Sequence, residues 1–270
     1  MMMLSNIRSR LRRDPVISVV RLEGAISTGG FGRGMLNDMS VAPLLERAFT
    51  RGKPAAVALA INCPGGSATQ SALIAARIRR LADEKDVPVY AFCEDVAGSG
   101  GYWLASAADH IYADANSIIG SIGVISASFG LDEFIARYGI ERRVHTAGED
   151  KSMLDPFRPE RAEDVERLKA IQAVIHDNFK TQITARRGDR LSDDRDLFTG
   201  EVWVGEKAQE VGLIDGIGHL VPVMKEKFGD KTRFSVATPR KSLFQRLGAP
   251  GAAELLASVN DRALWARYGL

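Results

Sequence analysis

The sequence predicts an α/β fold, and three observations carry that reading. Short apolar runs of strand length alternate along the chain with segments of helical spacing. One of them, Ala55-Ala56-Val57-Ala58-Leu59-Ala60-Ile61-Asn62, is apolar almost without interruption, as in a strand covered on both faces. Glycine-rich turns stand where two strands give way to helices, at Pro64-Gly65-Gly66 and at Gly98-Ser99-Gly100-Gly101.

The elements follow in β-then-α order. Residues 16–22 read as the first strand, and the loop 27–38 comes next with Gly29-Gly30-Phe31-Gly32-Arg33-Gly34. No lysine follows at the spacing of a phosphate-binding loop, so this loop reads as a mobile flap at a substrate cleft. Strand 55–62 runs through Cys63-Pro64-Gly65-Gly66-Ser67 into a helix over 68–81. The amides of such a strand–turn–helix point at whatever lies before them. A strand over 87–93 leads through Glu94-Asp95-Val96-Ala97 to the serine turn and an apolar helix. Strands at 110–113 and 122–125 follow, the second entered through Ile118-Ile119-Gly120-Ser121. Residues 146–152 place Lys151 in a loop. Over 159–187 the spacing of Val165, Leu168, Ile171, Val174, Ile175, Phe179 and Ile183 predicts a long amphipathic helix.

Ser99 draws the chemical reading. A glycine on each side leaves its hydroxyl open to an approaching carbonyl carbon, and the first amides of the next helix lie beside it. Position −2 is Ala97, so the turn is not the G-x-S-x-G elbow of the α/β-hydrolases. Taken alone, a glycine–serine–glycine turn is more often tight packing than catalysis.

Four motifs in combination change that balance. They are the N-x-P-G-G turn ending at Gly66, the A-x-S-G-G-Y turn around Ser99, Gly120-Ser121-Ile122-Gly123-Val124, and the G-x-x-K segment ending at Lys151. Together they resemble the bacterial signal peptide peptidase A family in its short, single-unit form, over residues 16–228 or so. The resemblance implies a ClpP/crotonase-like fold of stacked β-β-α units. It divides the chain into a basic tail (1–14), a peptidase domain (15–232) and an extension (233–270). It implies a serine endopeptidase without cofactor, cleaving unstructured or signal-peptide-like peptides. Ser99 and Lys151, 52 residues apart, would form a Ser–Lys dyad, with Ser121 orienting the lysine. The amides of Gly66 and Gly100 would make the oxyanion hole, and subunits would assemble into a ring or dome. Two positions depart from the family pattern: Cys63 stands where serine is usual, and Glu94-Asp95 where residues are small or polar. The acidic pair bears on substrate preference and leaves the dyad untouched. Cys63 reads as a small apolar residue filling a strand end.

The chemistry sets conditions on the dyad. A serine hydroxyl needs a base within hydrogen-bond reach. Lysine serves only when neutral, so its pKa must fall from about 10.4 through burial or nearby cations. Glu149 and Asp150, just before Lys151, act the other way if they point at it. The plain alternative is an exposed loop lysine.

Other readings are weaker. A triad needs a histidine base, and none of His110, His145, His176 and His219 has a local setting that marks one. Cys63 and Cys93 stand far apart with no CxxC or HExxH spacing, so no metal site is expected. A crotonase-like acyl-CoA hydratase or isomerase would need a carboxylate where Ser99 stands and a nucleotide pocket. A noncatalytic scaffold of the same fold would predict loss of Ser99 or Lys151, and both are present.

Composition bounds the rest. At 270 residues and 45% hydrophobic content the chain can bury a sizeable core. With 36 basic and 34 acidic side chains the net charge is +2, which makes no case for nucleic acid. Two cysteines fit a reducing compartment or simple indifference to redox state, and no stretch reaches the about 18 apolar residues of a membrane span. Residues 1–14 carry Arg8, Arg10, Arg12 and Arg13 but no apolar signal-peptide core. A cytoplasmic location is expected, with peripheral membrane contact open to those arginines. In 253–270, Leu255, Leu256, Val259, Leu264, Trp265 and Tyr268 recur at roughly helical spacing. Such a short stripe must cover a surface: its own core, a neighbouring subunit, a membrane interface or the substrate groove. A neighbour in a homo-oligomer, or its own core, is the favoured choice.

Overall fold

The apolar run at 55–62 forms strand β2 (Ala56–Cys63) in the computed structural model of the chain, buried at every position but Asn62. The structure describes residues 14–28, 36–148, 151–238 and 262–270. Strand β2 lies between β1 (Val16–Glu23) and β3 (Val89–Gly98), parallel to both. The remaining strands are β4 (His110–Ala113), β5 (Ile118–Gly120), β6 (Val202–Val204), β7 (Gly216–Ile217) and β8 (Arg233–Val236). Among the described residues they make one eight-stranded sheet in the order β6-β5-β3-β2-β1-β8, with β4 beside β3 and β7 beside β4. Every pairing is parallel except β5 with β6. The α/β expectation holds.

Two compact units divide the chain: residues 1–122 with 181–270, and residues 123–180. In the first unit, helix α1 (Asp38–Thr50) starts at Asn37, whose side chain and that of Ser40 cap each other's backbone in a reciprocal box. Helix α2 (Ala68–Lys85) starts at Ser67 and stops at Asp86, which takes a left-handed conformation. The two helices are joined by Arg77, which donates to both oxygens of Asp38 at 2.7 Å. They bury Leu45, Phe49, Ile74, Ile78 and Leu81. Each such side chain contributes about 1.5–3 kcal/mol through loss of apolar surface to water. Helix α3 (Gly100–Ser106) is buried along its whole length. Alternate residues of three strands, Ile17 and Val19, Ala56 and Ala58, Tyr90 and Phe92, form one sheet face. Val223 and Met224 of a later helix (Leu220–Phe228) cover them.

Of the five predicted strands three match β1, β2 and β4 and two differ, while β6, β7 and β8 had no predicted run. Strand β3 extends beyond 87–93 through the acidic pair to Gly98. Its first half pairs with β4 and its second with β5, so Glu94 and Asp95 fall between the two partners. Arg21 takes Glu94 at 2.6 Å, and the Asn62 amide donates to Asp95. The strand expected at 122–125 is not formed; β5 lies just before it, at Ile118–Gly120. The cause is local. Gly120 and Ser121 both take positive φ, +103° and +52°, which turns the chain out of the sheet. Strand β8, within the segment read as an extension, pairs with β1.

The predicted long helix is present over Ala162–Arg187. Its last residue is anchored in the first unit, where buried Arg187 donates to the Gly212 carbonyl at 2.9 and 2.7 Å and meets Asp215 at 3.0 Å. The second unit holds a short helix (Asp132–Arg137) and the start of the long one. There the Asp164 carboxylate accepts from two nitrogens of Arg161 and from the Leu154 amide. No helix among the described residues is long and apolar enough to cross a membrane.

Candidate active site

Two turns meet at the ends of β2 and β3. Between Ile61 and Cys63 the β2–β3 register shifts, and Asn62 repairs the ladder by accepting from the Val96 amide at 3.2 Å. The chain then turns through Pro64, Gly65 and Gly66. Gly65 has φ +104°, and a β-carbon on it would fall 2.8 Å from Cβ of Ser99 and 2.9 Å from the Gly100 nitrogen. Only glycine fits there, which explains one half of the Pro-Gly-Gly motif. Gly66 forms a parallel bridge with Ile26: the Ile26 amide donates to the Gly65 carbonyl and the Ser67 amide to the Ile26 carbonyl, both at 2.8 Å. In that arrangement the N–H of Gly66 itself faces away from Ile26, and Gly66 is exposed.

Ser99 is the residue between β3 and α3. Its backbone, φ +51° and ψ −119°, is an unusual one for a residue with a side chain. The Ser99 amide donates to the Gly120 carbonyl at 2.8 Å, and the hydroxyl does not cap the helix. Gly100 is the first helical residue, so its N–H has no partner within the helix. Ser99 is half-buried. Ser121 follows β5 and is 6% exposed, with its amide donating to the Glu201 carbonyl at 2.7 Å.

The structure thus brings Ser99, Ser121, Gly66 and Gly100 together within the first unit. Lys151 belongs to the second. It is exposed, at the start of a turn over 151–154, and its amide donates to the Gly148 carbonyl at 3.4 Å. Glu149, Asp150 and the centre of the predicted flap (29–35) lie outside the described residues.

The histidines of the first unit have other partners. His110 stacks on Tyr90 with centroids 5.1 Å apart. His219 meets Asp114 at 2.8 Å, and its hydrogen bond, aided by Asn116, holds that carboxyl down at about 2. The nearby Ser117 hydroxyl is buried and donates to the Cys93 carbonyl at 3.0 Å, so these three residues make no open nucleophile. Both cysteines are buried and neither is in a disulfide, and burial pushes the Cys93 thiol up to about 12. Among the described residues no cluster of three His, Cys, Asp or Glu is placed to hold a metal.

Sequence reasoning named the Pro64-Gly65-Gly66 turn and the apolar stripe that holds Tyr268, without giving what each packs against. Gly65, not only Gly66, fixes the approach of the two turns. Tyr268 donates its hydroxyl to the Pro64 carbonyl at 3.2 Å, a contact across 204 residues that no local pattern signals.

Known proteins resemble the chain in two ways. The sequence model described as Peptidase family S49 matches residues 81–231. A chloroplastic serine protease SPPA of Arabidopsis thaliana is 31% identical over 78% of this chain and 31% of its own length. A putative signal peptide peptidase SppA of Enterococcus faecium is 28% identical over 73% of this chain and 58% of its own. A protein of Brucella melitensis biotype 1 called Na(+)/H(+) antiporter NhaA is 47% identical over 94% of this chain. The match covers 37% of that protein. Each of these relatives is therefore spanned over less than two thirds of its length. The parallel-rich sheet is ClpP/crotonase-like, as the motifs implied.

Proposed function

The chain belongs to peptidase family S49, and from that premise we propose that it is a serine endopeptidase acting on unstructured or signal-peptide-like segments. The observation that carries this reading is the seat of Ser99: half-buried, at the head of a helix, with the Gly65-Gly66 turn packed against it. An extended peptide laid across the two turns presents its carbonyl carbon to the Ser99 hydroxyl. Lys151 takes the proton as the bond forms. The negative charge on the former carbonyl oxygen is met by the N–H groups of Gly66 and Gly100. Collapse of this intermediate returns the proton to the leaving amine, and water then releases the acyl group by the reverse sequence. Ser121 orients the amine without charging it.

An exposed ammonium is a poor base at neutral pH, so Lys151 must be covered when it acts, by bound peptide or a neighbouring subunit. A homo-oligomer is part of the reading. Phe129, Phe134, Tyr138 and Ile140 of the second unit, each more than half exposed, support it. The two buried cysteines, neither in a disulfide, fit a reducing, cytoplasmic setting. Incubating the protein with a peptide library and reading the products by mass spectrometry tests the activity. Internal cleavage that disappears in Ser99→Ala supports it; cleavage that persists in that variant removes Ser99 from the mechanism.

A further inference from the structure

Asp164 is buried, at 3% exposure, and no other aspartate or glutamate among the described residues is. An acid at the third position of a helix ordinarily stands in water, where its charge suits the helix N-terminus. Burial removes that water, so other groups must meet the carboxylate. Arg161 grips both oxygens, with Nε at 3.0 Å and a terminal nitrogen at 2.6 Å, and Arg167 stands 3.6 Å from one of them. The Leu154 amide donates to the carboxylate at 3.4 Å. Leu154 ends the turn that begins at Lys151, and the backbone of that turn holds itself weakly. The Lys151 amide reaches the Gly148 carbonyl at 3.4 Å and the Asp155 amide the Ser152 carbonyl at 3.3 Å, both long. Leu154 takes a left-handed φ of +55°, which a residue with a β-carbon keeps only where its surroundings impose it. On one side Ser152, Leu154, Arg161 and Asp164 border a cavity of about 660 Å³, so the turn has room to shift.

We infer that Asp164 is a positioning residue for Lys151: it ties the turn 151–154 to the start of the long helix and so sets where the amine stands. The chain just beyond the turn is fixed by other groups. Asp155 accepts from Arg142 at 3.2 Å and from the Phe157 amide at 3.1 Å, and the Pro156 carbonyl accepts from the Leu131 amide at 2.6 Å. The tie at Leu154 carries this order back toward Lys151. Charge favours such an indirect hold. A carboxylate that met the ammonium itself would keep Lys151 protonated and useless as a base. Asp164 spends its charge on two guanidiniums and touches the lysine turn only through a backbone amide. The Arg161 guanidinium also holds its carboxyl below the usual range, so it stays ionised wherever a lysine base would work. The catalytic consequence rests on the reading of Lys151 as general base; the tie between turn and helix does not.

The test compares the full chain with Asp164→Ala, Asp164→Glu, Lys151→Ala and the double variant Lys151→Ala/Asp164→Ala. It reads hydrogen–deuterium exchange, peptide kinetics and the rate at which a fluorophosphonate labels Ser99. In Asp164→Ala, exchange over 152–155 should rise. Labelling and kcat should fall by about 10- to 100-fold, as for a base displaced by about an ångström, with KM little changed. Asp164→Glu, which keeps the charge on a longer arm, should recover part of that loss. Once Lys151 is alanine, removing Asp164 should cost less than about twofold further, because the carboxylate acts through the lysine. Asp164→Ser, a shorter polar side chain, carries the same comparison if the alanine variant does not fold. Unchanged exchange over 152–155 overturns the tie. Raised exchange with wild-type labelling, or a full further loss in the double variant, overturns the positioning role. If exchange rises while Lys151→Ala is itself labelled at the wild-type rate, the dyad is what fails: the tie stands, and the lysine it holds is not the base.

Discussion

Ser99 and Ser121 are the first residues beyond one rung of the sheet. Gly98 of β3 pairs with Gly120 of β5, and each serine then turns its chain away with nearly the same φ, +51° and +52°. A left-handed backbone at a residue with a β-carbon costs about 1–2 kcal/mol, and it persists only where the surroundings impose it. Here the Ser99 amide is tied to the Gly120 carbonyl and the Ser121 amide to Glu201. The strain is the means by which two adjacent parallel strands end in two serines that both leave the sheet.

Replacing Ser121 with glycine separates its conformational from its chemical role. Glycine adopts the same φ freely, so the melting temperature should stay level or rise, a change within about 1 kcal/mol. If the Ser121 hydroxyl orients Lys151, as proposed above, peptidase activity should nevertheless fall. Full activity in Ser121→Gly removes Ser121 from the site.

Gly65→Ala should do the opposite and damage both properties. The added carbon meets Ser99 Cβ and the Gly100 nitrogen below van der Waals distance, at a backbone φ of +104°. The turns must part, at a cost of about 1–3 kcal/mol, and the serine moves with them. Thermal melts and fluorophosphonate labelling measure the two effects; unchanged labelling contradicts the close approach described above.

Lys151→Ala should lower turnover by about 10² to 10⁴ if the lysine is the general base. The pH profile carries the sign. A lysine base works only after losing its proton, so wild-type activity should climb toward alkaline pH and the limb should flatten in the variant. A limb centred in the histidine range, and lost on replacing a histidine, would point to a different base.

The Asp38–Arg77 pair should set part of the acid stability. The Arg77 guanidinium holds the Asp38 carboxyl below its usual 3.8. A group whose pKa is lower folded than unfolded contributes stability above the unfolded value and loses it as pH falls through the folded one. Asp38→Asn should therefore cost about 1–3 kcal/mol at pH 6, with the gap closing below about pH 4. An equal gap in melting temperature at both ends contradicts this role.

Much of the site was legible because glycine and proline are demanded by backbone geometry. Gly65, Gly66, Gly100 and Gly120 stand in the sequence where the fold needs close approach or a turn. The strand at 122–125 was misplaced because Ile118-Ile119 and Ile122 are equally apolar, and the outward turn at Gly120-Ser121 decides which of them pairs. The end of β3 was hidden by Glu94 and Asp95, whose partners Arg21 and Asn62 lie on other strands. The seat of Tyr268 on Pro64 spans most of the chain, and only the folded molecule shows it.

Fluorophosphonate labelling of the full chain, with the modified residue located by mass spectrometry, tests the central claim most directly. Only an activated serine reacts at a useful rate. The account predicts a single adduct on Ser99, abolished by Ser99→Ala and slowed by Lys151→Ala, with both variants folded like the wild type by circular dichroism. A chain that cleaves peptides but takes no label at Ser99, or is labelled as fast without Lys151, would contradict it.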